Sequence, residues 1–328
     1  MAKLVTIFGG SGFLGRQVAR LMAKRGWRVR IAVRRPNEAL FTRTYGAVGQ
    51  VVPVLCNVRD EESVRAAMSE ADAVVNCVNI LTKQGKSTFK TVFEDGARNI
   101  AQLSQEMGIP QVVHISGLGV DAASSSKYIA AKARGETAML ENRPDAIVLR
   151  PSVLFGTGDT FYNRFASLAR FGPIMPVIGG RTRLQPVHVD DVALAAVLAA
   201  EGQVTPGIYE LGGPDVLTVR EIVGQVLKVT YRRRLALNMP FWMASIGAGI
   251  LDTAQYLTGG LFTNKILSSD QLALLRQDNV VSEDAQGFAA FGIHPSAAEA
   301  VIEDYLWRFR PSGQYDDIKN SAKNLRTP

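Results

Sequence analysis

The chain carries four glycines within nine residues near its start, where residues 8–16 read FGGSGFLGR. They directly follow the apolar run LVTI, and after them Leu14, Val18, Leu21 and Met22 recur at helical spacing. A turn needs only one or two glycines, so four indicate that something must approach the main chain closely. A strand, a glycine loop and a helix in this order are typical of a site that holds a dinucleotide pyrophosphate at a helix N-terminus.

Two registers of the glycines fit such a site. One is Gly10-x-Gly12-x-x-Gly15 and the other is Gly9-x-x-Gly12-x-x-Gly15. In either register one glycine permits the tight turn, Gly12 lets the pyrophosphate approach, and Gly15 allows the helix to pack closely on the strand. We predict that the loop and the first helical turn contact the cofactor, through Gly9, Gly10, Ser11, Gly12, Phe13, Leu14 and Gly15.

The residues after the second predicted strand, AVRRP, bear on the choice of nucleotide. An acidic side chain at this point would accept hydrogen bonds from the ribose of NAD. Arg34 and Arg35 stand there instead, and guanidinium groups bind a 2′-phosphate through charge-assisted hydrogen bonds. Arg16 is close enough in sequence to the glycine loop to reach the same phosphate. The sequence therefore predicts NADP(H) over NAD(H), with solvated loop arginines as the alternative.

Apolar strand-like runs and helical patterns alternate along the first half of the chain. The predicted strands are 4–8, 28–33, 51–56, 73–78, 110–116 and 146–152, and the predicted helices between them are 14–24, 60–70, 92–107 and 128–142. Alternation with short connections predicts an α/β fold built on a doubly wound parallel (Rossmann) sheet.

The regular alternation of strand and helix patterns ends after Gly156, which indicates a second, smaller region. We predict an NADP-binding domain at 1–160, to which residues 184–202 return. Residues 161–183 and 203–310 are predicted to form a smaller, mainly helical C-terminal lobe, and residues 311–328 a polar, extended tail.

Composition and charge narrow the class of protein. The 328 residues are 47% hydrophobic and 20% charged, as in an ordinary globular protein, and the net charge of +7 favours anionic partners. No aromatic-basic motif accompanies the arginine-rich runs, so we expect no nucleic acid partner. Cys56 and Cys77 lie in apolar runs and are predicted to be small buried hydrophobes. His114, His188 and His294 lack the spacing of metal ligands, so no metal site is predicted.

Nothing in the sequence predicts a leader or a membrane span. The first predicted strand follows MAK at once, so we expect no signal peptide. The most apolar stretch, residues 235–262, is interrupted by Pro240, Asp252 and Gln255 and should not cross a bilayer. Two alternatives stay open for this stretch. In one, Phe241, Trp242 and Met243 beside the basic YRRR run would lie at a membrane interface; in the other, the helix would pack within the core of its own lobe.

Tyr128 and Lys132 are the candidate catalytic residues. They stand one helical turn apart in SSSKYIAAKARGE, residues 124–136, and so share a face. A lysine beside a tyrosine is expected to lower the pKa of the phenol, and both side chains can bind a nicotinamide ribose. A second copy of the spacing, Tyr315 and Lys319, lies in the polar tail and is taken as chance.

The glycine pattern, Tyr128 and Lys132, LRPSVLFG at 149–156 and QPVHVDDVA at 185–193 resemble the extended or atypical short-chain dehydrogenase/reductase superfamily. The match extends to about residue 213. The resemblance implies that residues after the third and fourth strands flank the adenine and its ribose and that residues after the sixth strand back the nicotinamide. The implied cofactor contacts are Asn57, Val58, Cys77, Val78, Ile115, Pro151, Ser152 and Val153.

The chain departs from the superfamily at the end of the fifth strand, which reads HISGLG. Active members carry a serine or threonine where Gly117 stands, and Ser116 is the remaining candidate hydroxyl. Without a hydroxyl to polarise a carbonyl, an acid has less to work with. Tyr128 and Lys132 are therefore either an acid–base pair or ribose ligands only, and both alternatives stay open.

The second half resembles a narrower group. Residues 267–285, 288–311 and 153–166 are similar to the NAD(P)H-binding accessory subunits of respiratory complex I, especially the alphaproteobacterial form. This resemblance implies a structural NADPH, docking on the peripheral arm near the membrane and the quinone site, and a place on the cytoplasmic side of the bacterial inner membrane. The alternatives are a free NADP-dependent reductase or epimerase and, third, a regulatory dinucleotide sensor.

Overall fold

The structure is a computed structural model, and it describes residues 2–83, 85–246, 248–249, 269–315, 318 and 321. By their internal contacts the residues form two compact units. The first unit comprises Met1–Ser152, Val189–Gly212 and Val281–Pro295, and the second comprises Val153–His188, Gly213–Val280 and Ser296–Pro328.

The described strands are short. In chain order they are β1 Leu4–Phe8, β2 Arg28–Val33, β3 Val51–Leu55, β4 Ala73–Asn76, β5 Gln111–Ile115, β6 Ile147–Pro151, β7 Leu154–Phe155, β8 Ile174–Ile178, β9 Arg183–Leu184, β10 Val187–His188, β11 Gly207–Leu211, β12 Leu217–Thr218 and β13 Leu235–Met239.

Helices connect most of these strands. The longer ones are α1 Phe13–Lys24, α2 Glu61–Met68, α3 Asp95–Glu106, α4 Lys127–Asn142, α5 Tyr162–Leu168, α6 Val189–Ala200 and α7 Val219–Val229. Shorter helices are Ser269–Leu274, Ala298–Val301 and Glu303–Leu306; residues 241–246 are also helical, and a π-helical turn, Lys90–Glu94, leads into α3. Short 3-10 helices are Pro36–Tyr45, Phe288–Phe291, Trp307–Phe309 and Gly313–Tyr315.

The first unit is built on a seven-stranded sheet in the order β11-β6-β5-β4-β1-β2-β3, and every pairing in it is parallel. β1 is buried along its whole length, as expected for an apolar strand covered on both faces. Successive connections turn in opposite directions at β1 and β4, so the crevice for ligands lies at the carboxyl ends of these strands. The predicted doubly wound parallel sheet is confirmed.

The observed units differ from the predicted boundaries. We predicted that only residues 184–202 return to the first domain. The strand β11 also returns, because its backbone pairs with the edge of β6, Gly207 opposite Ile147, and its Tyr209 and Leu211 side chains are buried. Residues 153–160, predicted in the first domain, fall in the second unit.

The second unit contains more strand than predicted. Three two-stranded sheets pair β7 with β10, β9 with β12, and β8 with β13. Met175 and Val177 on β8 are buried in a core with Tyr162, Ile222 and Tyr305, and β13 completes the sheet above this core. Residues 247 and 250–262 of the apolar stretch lie outside the described residues. So does most of the predicted tail, whose described part includes the 3-10 helix Gly313–Tyr315.

Among the helices that the structure describes, none combines the length and the apolar character that crossing a bilayer requires.

Candidate functional site

The glycine loop folds tightly over the end of β1. Gly9 has a φ of +71°, in the left-handed region that side chains rarely adopt, and a Cβ there would lie 2.9 Å from the carbonyl oxygen of Cys77. The Gly12 amide donates a hydrogen bond of 2.9 Å to the Gly9 carbonyl. Gly9 is thus the turn glycine, the role that the wider of the two predicted registers gives it.

Gly15 faces the loop from the first turn of α1. A Cβ on Gly15 would clash with the Gly9 carbonyl oxygen and lie 2.8 Å from the Gly10 Cα. Around the Gly12 N-cap, within the described residues, no side chain caps α1 and no acidic residue occupies its first turn. The helix therefore presents its N-terminal N–H groups and positive dipole end beside the loop, as anion binding requires.

The two predicted phosphate arginines have different surroundings. The Arg34 Nη1 atom donates a hydrogen bond of 3.2 Å to Ser87 Oγ, in the segment between β4 and α3. Arg35 instead forms an exposed ion pair with Glu38, at 3.0 Å. The third predicted arginine, Arg16, lies over the ring of Phe13, with 5.4 Å from its guanidinium carbon to the ring centroid.

The residues after β3 are held by an arginine that was not predicted, Arg59. The Asn57 side-chain oxygen accepts hydrogen bonds from the backbone amide and from Nε of Arg59, at 3.3 and 3.1 Å. The Arg59 Nη1 atom donates to the Lys86 carbonyl at 3.0 Å. The Val58 carbonyl accepts from the Asn99 side chain at 3.0 Å. Sequence reasoning missed Arg59, although its place two residues after Asn57 is a usable signal.

Both cysteines are protonated thiols at neutral pH. Burial raises the pKa of Cys77 to about 12 and that of Cys56 to about 11. This agrees with their prediction as small apolar residues. Cys77 and Val78 follow β4 directly, and the Val78 amide donates to the side-chain oxygen of Asn76 at 3.2 Å.

Tyr128 lies at the start of α4 in an aromatic pocket. Its ring meets Phe89 and Phe93 edge to face, with centroid distances of 5.6 and 5.5 Å, and its hydroxyl donates to the Asn79 side-chain oxygen at 3.0 Å. Burial raises the pKa of Tyr128 to about 12. The expectation of a lowered pKa is therefore wrong, because desolvation on burial disfavours the charged phenolate and outweighs the opposing hydrogen bond with Asn79.

Lys132 is buried one turn further along α4. Its ammonium donates to the carbonyl oxygens of Ile115 and Ser116, at 3.3 and 3.0 Å, and lies 5.4 Å from the centroid of the Phe93 ring. Burial lowers the pKa of Lys132 to about 8. The lysine thus ties α4 to the end of β5, beside the candidate hydroxyl of Ser116.

The Ser116 hydroxyl is buried and has no hydrogen-bond partner among the described residues. Next to it, Gly117 has open space, since a Cβ there would meet its nearest neighbours only at 3.8 and 3.9 Å. A serine or threonine would fit at this position, so the glycine is not imposed by packing.

Asn76 and His114 form a polar pair near Lys132 that was not predicted. The Asn76 amide nitrogen lies 3.1 Å from His114 Nδ1, and because an amide nitrogen can only donate, Nδ1 accepts. Burial, together with the charge of Lys132, lowers the pKa of His114 to about 3, so the ring is neutral. A cavity of about 10 Å³ adjoins the pair, space for about one water.

The residues after β6 are fixed by backbone bonds. The Ser152 amide donates to the Leu211 carbonyl at 2.9 Å, and the Pro151 carbonyl accepts from the Leu118 amide at 3.0 Å. Val153, predicted with them, begins the second unit.

The arrangement in the first unit suits a dinucleotide. The glycine loop, Arg34, Cys77 and Lys132 all follow or flank strand carboxyl ends, so they lie along one edge of the sheet. Such an edge can hold phosphates near α1 and a ribose near Tyr128.

Comparison with known proteins agrees with this arrangement. The model of the NAD dependent epimerase/dehydratase family matches residues 5–212. NADH dehydrogenase (ubiquinone) 1 alpha subcomplex subunit 9 of Arabidopsis thaliana is 31% identical, over 94% of this chain and 79% of that protein. A ceramide reductase of Caulobacter vibrioides is 30% identical over 63% of this chain and 64% of that protein.

Solved structures show the same fold at low identity. The Escherichia coli NADPH-dependent quinone oxidoreductase QOR2, complexed with NADPH, has a TM-score of 0.69 at 14% identity and covers 92% of this chain and 98% of its own. The Bordetella bronchiseptica enzyme WbmH, in complex with NAD+, has a TM-score of 0.67 at 18% identity and covers 95% and 100%. The predicted superfamily is confirmed: the chain belongs to the NAD dependent epimerase/dehydratase family, within the extended short-chain dehydrogenases/reductases.

Proposed function

We propose that this protein is an accessory subunit of NADH:ubiquinone oxidoreductase, respiratory complex I, and that it holds NADPH mainly as a structural group. The observation that carries the proposal is the similarity to the plant NADH dehydrogenase subunit over 94% of the chain. That similarity extends well beyond residue 212, where the family match ends. If the two proteins shared only cofactor binding, we would expect their similarity to be confined to the first unit.

The glycine loop and the arginines support a phosphorylated dinucleotide. The N-terminus of α1 is uncapped by any described side chain and faces a loop that only glycines allow, which suits a pyrophosphate. Arg34 stands where an acidic residue would select NAD, and it is held in place by Ser87. A bound nucleotide stabilises the folded chain by mass action, and slow release makes it behave as part of the structure.

The surroundings of Tyr128 support a holding role over an acid–base role. The phenol is neutral at physiological pH and its hydroxyl proton is engaged with Asn79. Two of the three N–H groups of the Lys132 ammonium donate to backbone carbonyls. Gly117 has no hydroxyl at the position where active members of the superfamily carry one. Such a site orients a ribose between α4 and β5 without a group placed to polarise a substrate carbonyl.

We place the protein on the cytoplasmic side of the bacterial inner membrane, docked on the peripheral arm near the quinone site. The second unit supports a surface role because it exposes large apolar side chains. Trp242 is 65% exposed, and Met243 and Ile246 on the same helical segment are exposed as well. Ala244 and Ala248 of the same stretch are buried in a cluster with Leu272, so one face packs within its own lobe. The exposed face supports an interface with anionic lipid headgroups or a partner subunit.

The replacement Tyr128→Phe tests this function in the native membrane. We expect NADPH content and quinone reductase activity to stay within about twofold of the unmodified protein, because the ring packing against Phe89 and Phe93 is kept. Gly15→Val, whose side chain would clash with Gly9, is the control that should lose both the nucleotide and the assembled complex. Loss of respiration in the tyrosine variant with NADPH still bound would contradict the structural role.

A second candidate function is a free NADP-dependent reductase or epimerase. It is favoured by Tyr128 and Lys132, which are both retained on α4 beside Phe93, and by the ceramide reductase among the relatives. Here the nicotinamide would supply the hydride and Tyr128 would hold or move a proton at its hydroxyl oxygen. In that case Tyr128→Phe abolishes turnover of a substrate by the isolated chain, whereas respiration does not depend on it.

A further inference from the structure

The side chain of Arg34 is paired with a serine from a distant part of the chain. Arg34 follows β2, and Ser87 lies 53 residues later, in the connection between β4 and α3. The Arg34 side chain is exposed, whereas Ser87 is buried, with 7% of its surface accessible. The hydrogen bond of 3.2 Å therefore fixes one end of a guanidinium that would otherwise be free to move in solvent.

Arg34 and Ser87 both have hydrogen-bond donors that their mutual hydrogen bond does not use. The Ser87 oxygen accepts from Arg34, and the hydroxyl hydrogen has no acceptor among the described residues. Of the five guanidinium N–H groups of Arg34, one at Nη1 has a hydrogen-bond partner in the described part of the chain, and that partner is Ser87. One hydroxyl donor and several cationic N–H donors side by side match the oxygens of a phosphate dianion.

The backbone next to Ser87 is anchored by a second arginine. Arg59, which follows β3, donates to the carbonyl of Lys86 at 3.0 Å and holds Asn57 through its Nε atom at 3.1 Å. Arg34, after β2, and Arg59, after β3, thus donate hydrogen bonds to two consecutive residues, Ser87 and Lys86 respectively. This fixes Ser87 independently of Arg34 and brings a further positive charge to the same sheet edge.

Arg35 lacks these features. Its guanidinium is about three-quarters exposed and is paired with the carboxylate of Glu38. The carboxylate neutralises its charge and would repel a phosphate dianion. The two adjacent arginines are therefore not equivalent.

We propose that Ser87 is a ligand of the cofactor 2′-phosphate, and that Arg34 and Ser87 together, without Arg35, discriminate NADPH from NADH. The inference rests on the proposed NADPH site and names the residues that set its specificity. Ser87 donates its hydroxyl hydrogen to a phosphate oxygen, and Arg34 contributes the N–H groups that Ser87 leaves available. NADH has no 2′-phosphate and does not need either side chain.

The test is the ratio of NADPH to NADH affinity in the full-length chain, after bound nucleotide is removed by dialysis at high salt. Ser87→Ala is expected to weaken NADPH about tenfold and NADH less than about twofold, as for the loss of one hydrogen bond to a charged group. Arg34→Ala is expected to weaken NADPH more strongly, and Arg35→Ala to leave the ratio within about twofold. Competition by adenosine 2′,5′-bisphosphate against adenosine 5′-monophosphate reports the phosphate alone.

Two further variants separate a ligand from a merely structural serine. Ser87→Thr keeps the hydroxyl and should restore the NADPH preference, whereas Thr88→Ala changes the same segment and should leave the preference intact. An unchanged ratio in Ser87→Ala, or equal losses of both nucleotides, overturns the role of Ser87 while the proposed function survives. Should the unmodified chain bind nucleotide without preferring NADPH, the cofactor assignment itself is wrong and this inference falls with it.

Discussion

At the scale of single residues, Lys132 shows most clearly how the site is built. Its ammonium is buried, makes two hydrogen bonds to carbonyl oxygens and lies over an aromatic ring. These contacts hold α4 against β5, but they do not replace all of the water that a free ammonium would have. Burial consequently lowers the pKa from an ordinary 10.5 to about 8.

This lowered pKa makes the stability of the nucleotide-free protein depend on pH. Between about 8 and 10.5 the unfolded chain binds the proton of Lys132 and the folded chain does not, so the free energy of unfolding rises with pH across this window. Below pH 8 both states are charged and the contribution is constant. We expect the difference in unfolding free energy, wild type minus Lys132→Met, to increase from pH 8 to pH 10.

Urea unfolding at pH 7, 8, 9 and 10 measures this difference. The subtraction removes the pH dependence of all other groups that the two proteins share. Lys24→Met, which removes an exposed lysine from α1, is the control for loss of one positive charge. A flat or falling difference would contradict the burial of a titrating ammonium at this position.

At the scale of elements, the sheet of β8 and β13 has one face that no described residue covers. The register places Leu235 opposite Ile174 and Leu237 opposite Pro176, and all four side chains are exposed while the alternate residues of β8 are buried. Phe171, just before β8, is 71% exposed. Exposed Arg170 and Arg233 flank these apolar residues in sequence. An apolar face beside arginines suits an anionic membrane surface.

We expect the isolated protein to bind vesicles of anionic phospholipid. The double variant Phe171→Ser, Trp242→Ser should reduce the bound fraction at least about threefold, because each substitution removes an exposed aromatic side chain that could enter the lipid interface. Co-sedimentation with vesicles at two salt concentrations measures this. Val48→Ser, which removes a fully exposed apolar side chain from the first unit, is the matched control. Equal binding by the control and the double variant would exclude a lipid role for this surface.

The elements that the sequence predicted well are those specified by local patterns. β1 and β2 were predicted to the residue, because each carries a dense set of β-branched and apolar residues in a short run that a glycine or an arginine follows. The strand β13 was missed, since its five residues become a strand only by pairing with β8 about sixty residues earlier. Its mixed LALNM pattern carries no strong signal of its own.

In the site too, the features set by local sequence were predictable, and those set by contacts between distant residues were not. The glycine loop is local, and the clash that excludes a side chain at Gly15 arises from residues of the same loop. Ser87 and Asn79, by contrast, meet Arg34 and Tyr128 across 53 and 49 residues of chain. The pKa of Tyr128 could not be predicted either, because it depends on burial by Phe89 and Phe93, which the fold supplies.

At the scale of the whole molecule, the proposed function combines a family fold with a site that would hold a nucleotide and not convert a substrate. The sheet, the glycine loop, and the tyrosine and lysine of α4 are those of a dinucleotide-binding enzyme family. Gly117 and the hydrogen bond from the Tyr128 hydroxyl to Asn79 are the two features that support the proposed holding role over catalysis. The similarity to an NADH dehydrogenase subunit over 94% of the chain supports the proposed use of this fold, as a part of a larger assembly.

On the proposed function, a phosphorylated dinucleotide resides in this chain within the respiratory complex. Mass spectrometry of the membrane quinone oxidoreductase, purified through a tag on another subunit, identifies both its proteins and the nucleotides that it releases. We expect that this chain co-purifies and that about one NADP(H) is released per copy of it. A complex that lacks this chain, or a co-purified chain that carries no NADP(H), would show that the proposed function is wrong.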